Sequence, residues 1–93
     1  MIMGTNESKT LEEIKKLPPE EAIALLDNII ADNPENDEAF SLRGMKHWTL
    51  NHRQQAINDY LAAIKINPDS KAKLALQYAN SILNYYCKDL LNP

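Results

Sequence analysis

EEAIALLDNIIADNPENDEAF, residues 20–40, superimposes without a gap on QQAINDYLAAIKINPDSKAKL, residues 54–74. Ala22 matches Ala56, Ile23 matches Ile57 and Pro34 matches Pro68, all at one constant offset. An internal period constrains the fold more than composition does, because each copy is one supersecondary unit that cannot bury its apolar face alone and must stack on the next. The matched residue types say what the unit is. Alanines let two helices approach closely, larger residues fill the remaining gap, and a proline stops the second helix on schedule.

The punctuation between the apolar stretches predicts all-α structure, with about five antiparallel helices. Thr10-Leu11-Glu12-Glu13 is a capping box that opens a short helix, which must end near Leu17 because Pro18 and Pro19 cannot continue it. The same prolines suit the first turn of PEEAIALLDNIIADN, whose Ala22, Leu25, Leu26, Ile29 and Ile30 recur at three and four. Pro34 closes that helix. Asn36 or Asp37 can cap a third through Leu50, with Asn51 as a left-handed stop. A fourth runs from Arg53 to Ile66 ahead of Pro68, and Asp69 or Ser70 can cap a long last one, KAKLALQYANSILNYYCKDL. Turns this short make neighbouring helices pack antiparallel.

A period of roughly 34 residues in paired helices resembles the tetratricopeptide repeat (TPR) family. The middle copy, residues 37–70, carries the resemblance in Phe40, Gly44, Ala56, Tyr60, Ala63 and Pro68. It departs where Arg43 replaces a usual leucine and His47 a usual tyrosine, with Leu42 taking over part of the packing. Residues 10–36 form a degenerate repeat that keeps Ala22, Leu26, Ile29 and Pro34, with Thr10 at the glycine position. Residues 71–91 supply only a first-type, capping helix, and residues 1–9 read as a disordered N-terminus. The resemblance implies a short right-handed helical-repeat solenoid spanning 10–93 as one domain, closed by that long C-terminal helix.

It also implies a use. Helical repeats of this kind bind a protein or peptide segment in a concave groove lined by the first helix of each repeat. Carried over residue by residue, the groove positions are Glu38, Ser41, Met45, Trp48 and Thr49, joined by Ala75, Ala79 and Ile82. Where the carboxylate-gripping members use a lysine and asparagines, this chain has Ser41, Leu42 and Met45, so no such clamp is expected. Met45, Trp48 and Ile82 favour an apolar or amphipathic segment, with Trp48 as its anchor. The last helix raises a second possibility. Leu74, Ala75, Tyr78, Ile82 and Tyr85 form a stripe able to cover the preceding repeat, which leaves Leu76, Ala79, Leu83, Tyr86 and Leu90 as a second stripe available for a homodimer.

Other classes fare badly. Two glycines leave no phosphate cradle, and no catalytic constellation stands out, so a non-enzymatic protein without cofactor is expected. His47 and His52 in KHWTLNHR straddle a turn at a spacing unlike that of helical metal ligands, so no metal is expected either. Cys87 is the single cysteine and reads as a structural thiol; with no signal-like leader and no membrane-length apolar run, a cytoplasmic setting is expected. Residues 1–38 hold ten acids against three lysines, a balance of −7, and residues 39–93 hold seven cations against three acids, a balance of +4. Scattered cations without an aromatic-rich stripe argue against nucleic acid.

Overall fold

The computed structural model describes the backbone of residues 10–91 and the side chains of residues 10–81. Within them lie five helices: α1 (Leu11–Lys15), α2 (Pro19–Asp32), α3 (Asp37–Thr49), α4 (Arg53–Ile66) and α5 (Ala72–Leu91). The described residues are therefore all-helical, as the punctuation predicts. The expected disorder of residues 1–9 lies outside the described residues.

Local chemistry accounts for each boundary. The Thr10 hydroxyl accepts from the Glu13 amide at 3.2 Å, and the Glu13 carboxylate accepts from the Thr10 amide at 3.0 Å, a complete capping box. The helix it starts ends at Lys15, two residues short of the expected Leu17. Pro19 then takes the first position of α2, where a missing N–H costs nothing. Asn36 caps α3 by accepting from the Ala39 amide at 3.1 Å. Asn51 turns the chain from α3 to α4 with φ 67°, the left-handed conformation that asparagine tolerates.

The two proline turns are built alike. Asn33 ends α2 at φ −142°, ψ 87°, and Asn67 ends α4 at φ −139°, ψ 104°. Each side-chain oxygen accepts the amide two residues on, from Glu35 at 3.2 Å and from Asp69 at 3.0 Å. Each asparagine amide donates to the carbonyl four residues back, Ile29 and Ala63, at 2.9 Å. The sequence period is thus reproduced as backbone geometry.

Consecutive helices pack on one another, α2 on α3, α3 on α4 and α4 on α5, and α1 rests against both α2 and α3. Their apolar contacts form two clusters. The first buries Ile14, Ala22, Leu26, Ala39 and Leu42. The second buries Ala56, Tyr60, Ala63, Ala72 and Ala79, with Phe40, Trp48, Ile64, Ala75 and Leu76 packed against it. Between α3 and α4 the approach is so close that a Cβ on Gly44 would stand 2.6 Å from Cε1 of Tyr60 and 3.1 Å from the Ala56 carbonyl oxygen. Only a residue without a side chain fits there unmoved.

The roll of α5 differs from the expectation. Its contact with the second cluster is made by Ala72, Ala75, Leu76 and Ala79, while Leu74 and Tyr78 stand 71% and 67% exposed. Ala75 packs as expected, but Leu74 and Tyr78 of the same stripe do not, while from the stripe expected to stay free Ala79 is buried and Leu76 is partly buried. Size decides this, because a helix approaches its neighbour most closely along its alanines, which leaves the bulkier Leu74 and Tyr78 outside. Ile82, Leu83, Tyr86 and Leu90 lie outside the described side chains.

Candidate functional site

Three parts of the chain converge on a groove of about 300 Å³. Leu11, Glu12 and Lys15 come from α1, Asp37, Glu38, Ser41, Leu42 and Met45 from α3, and Asn67, Asp69, Ser70 and Lys71 from the turn into α5. Such a volume is at the small end of the roughly 300–1,000 Å³ typical of ligand sites. It has room for one or two side chains.

The α3 contribution follows from helical periodicity, since positions 38, 41, 42 and 45 recur at three and four and share a face. Leu42 is buried and makes part of the floor, while Met45 is 50% exposed. Ser41 is only 7% exposed, and its hydroxyl makes no hydrogen bond among the described residues. No described side-chain nitrogen or oxygen is both enclosed and unpartnered, so that hydroxyl keeps some access to solvent on a residue that lines the groove.

Polar ties fix the walls. Lys46 donates to the carbonyls of Lys15 at 2.7 Å and Leu17 at 3.1 Å, so its ammonium closes the C-terminal end of α1 and pins it to α3. On the other side the Asn67 side-chain amide donates to Asp37 at 3.3 Å, joining the turn before α5 to the first turn of α3. The Ser70 hydroxyl accepts from the Ala72 amide at 3.1 Å and shapes the start of α5.

The roll of α3 is set from its opposite side by Arg43. Its Nε and Nη2 donate to the two oxygens of Asp59 on α4 at 2.9 and 2.8 Å, and Nη1 donates to Asp27 on α2 at 2.7 Å. The guanidinium also lies 5.5 Å from the centre of the Phe40 ring. Hydrogen bonding to Asp59 raises the guanidinium pKa against the opposing effect of burial. A planar fork held by two carboxylates leaves the helix little rotational freedom. The leucine expected from the resemblance is thus replaced by an ion-pair node spanning three helices.

Of the expected groove residues, Glu38, Ser41 and Met45 line the cavity. Trp48 does not. It sits two turns beyond Ser41 on the same face, yet there it packs against the second cluster with Ala75, and the Arg53 guanidinium lies 5.2 Å from its ring centre. Thr49 is exposed and donates its hydroxyl to the Met45 carbonyl at 3.0 Å. Ala79 is 1% exposed and has no surface to offer a ligand. Trp48, Thr49, Ala75 and Ala79 are therefore outside the groove, which ends at Met45, and Ile82 lies outside the described side chains.

Sequence reasoning missed the contribution of α1 and of residues 67–71. The signal was available in part: a turn between antiparallel helices returns the chain to the end where α3 begins. The two histidines of KHWTLNHR do meet across the α3–α4 turn, Nδ1 to Nδ1 at 3.2 Å, within hydrogen-bonding distance. Burial holds the His47 pKa below its ordinary value. No third His, Cys, Asp or Glu among the described residues joins them as a metal site. No described helix is long and apolar enough to cross a membrane. Compared with protein families, curated proteins and solved structures, the chain matches none.

Proposed function

We propose that this chain is a non-enzymatic, TPR-like helical-repeat module that binds a segment of another protein in the groove between α1, α3 and the turn into α5. The repeat reading is supported by two proline turns of one geometry, one sequence period apart, and by Gly44 meeting Tyr60 and Ala56 across α3 and α4. The observation that carries the binding reading is Met45, a large flexible apolar side chain left half exposed beside Leu11 and above buried Leu42. Methionine adapts to the shape of whatever covers it, which suits a segment better than a fixed small molecule.

Selection of random displayed peptides on the intact protein tests this. The reading expects enriched peptides whose binding is lost on Met45→Asp, a substitution at an exposed position that leaves the helical circular dichroism unchanged. Enrichment of peptides that bind Met45→Asp equally well would place binding elsewhere and overturn it.

A second reading, self-association through α5, rests on Leu74 and Tyr78, one turn apart and both largely exposed. It replaces the expected Leu76 face with this pair. Light scattering at high concentration distinguishes the readings, since Leu74→Ser with Tyr78→Ser would then convert a dimer to a monomer and leave peptide binding intact.

A further inference from the structure

The groove has a charge as well as a shape. Glu12, Asp37, Glu38 and Asp69 line it against Lys15 and Lys71, four acids to two cations. Lys15 is already engaged by Glu12 at 3.1 Å. Asp37, Glu38 and Asp69 form no salt bridge among the described residues, where the other ion pairs are those of Arg43. Among the described residues, the rim around the apolar patch of Leu11, Leu42 and Met45 therefore presents three carboxylates without a cationic partner, with Lys71 as the opposing cation. The nearly buried Ser41 lines the same space, and its hydroxyl makes no hydrogen bond among the described residues.

We infer that the occupant of this groove is a cationic amphipathic peptide segment, in which an apolar side chain enters between Leu11 and Met45 while flanking lysines or arginines meet Asp37, Glu38 and Asp69. The inference rests on the binding reading above and adds the chemistry of the partner. Apolar contact seats the segment, and the Ser41 hydroxyl is placed to hydrogen-bond its backbone. The carboxylates select its charge, because an acidic segment of equal hydrophobicity meets like charge across a short distance. Their contribution is exposed to solvent and weakens as salt rises.

Fluorescence anisotropy with three labelled synthetic peptides tests it on the full chain: lysines flanking two leucines, the same peptide with glutamates for lysines, and the same with serines for leucines. The lysine–leucine peptide should bind, and each counterpart should bind about tenfold more weakly or worse, equivalent to about 1.4 kcal/mol. Glu38→Lys with Asp69→Lys should weaken the lysine–leucine peptide by a similar factor and strengthen the glutamate–leucine one. Both positions are exposed, and thermal melting verifies that each variant folds. Equal binding of the lysine and glutamate peptides, lost on Met45→Asp but indifferent to Glu38→Lys, would overturn the charge inference while leaving the groove reading standing. Failure of all three peptides would remove both.

Discussion

The two apolar clusters solve the same packing problem with different materials. The first, at α1 to α3, is filled by volume: Ile14 and Leu26 are fully enclosed and Leu42 nearly so. The second, at α4 and α5, is filled by proximity, with four buried alanines and the single large ring of Tyr60. Positions one period apart hold the contrast, since Leu26 in one copy corresponds to Tyr60 in the other. The two copies therefore keep the spacing between helices more closely than the means of filling it. Arg43, reaching Asp27 on one side and Asp59 on the other, ties the two regions together.

The sharpest way to break that comparison is to cut the tie. Arg43→Ala leaves Asp59, whose side chain is 8% exposed, as a buried carboxylate without its cation. The expected loss is about 3–5 kcal/mol by chemical denaturation. The outer pair with half-exposed Asp27 accounts for little of it, about 0–1 kcal/mol on Asp27→Asn. Next comes the volume-filled region, where Leu26→Ala opens a cavity and should cost about 2–5 kcal/mol. The proximity-filled region fails in the opposite sense. Gly44→Ala forces Cβ against Tyr60, costing about 1–3 kcal/mol of overpacking, against which the roughly 1 kcal/mol better helix propensity of alanine is a partial offset. Tyr60→Leu should relieve that clash, so the double variant should be more stable than the sum of the two single effects requires.

The smallest effect concerns the hinge between these regions at the α3–α4 turn. Burial favours neutral His47, with Asp59 and Asp27 pulling its pKa up and His52 and Arg43 pushing it down. The folded pKa lies below the unfolded value of about 6.5, so the contribution to stability is complete above that pH and is lost as pH falls through the folded value. Thermal melts at descending pH should show a small drop in Tm below neutrality that His47→Gln flattens.

Much of this architecture was legible. The prolines, the Thr10–Glu13 box, Asn36 and Asn51 act over a few residues, so the helix boundaries could be read from their neighbours to within two residues. Gly44, Ala56 and Tyr60 were legible through the period. Rotation about a helix axis was not. In α5 apolar residues surround the helix, and hydrophobicity alone assigned Leu74 and Tyr78 to the covered face together with Ala75, whereas Ala72, Leu76 and Ala79 are the residues that join Ala75 there. The same limit hid the Arg43 node, whose partners lie 16 residues away in each direction on separate helices. In the candidate site, Glu38, Ser41 and Met45, expected on one face of α3, line the cavity. Trp48 lies outside this cavity because helical phase says which way a residue points but not where the neighbouring element closes the groove.

The central claim, that the groove beside Met45 is where a partner segment docks, is tested most directly by following backbone amide NMR shifts as the lysine–leucine peptide is added. The account predicts saturable shifts clustered at Leu11, Ser41, Met45 and Ser70, with Leu74 and Tyr78 unmoved. Shifts centred on Leu74 and Tyr78, or none at saturating peptide, would contradict it.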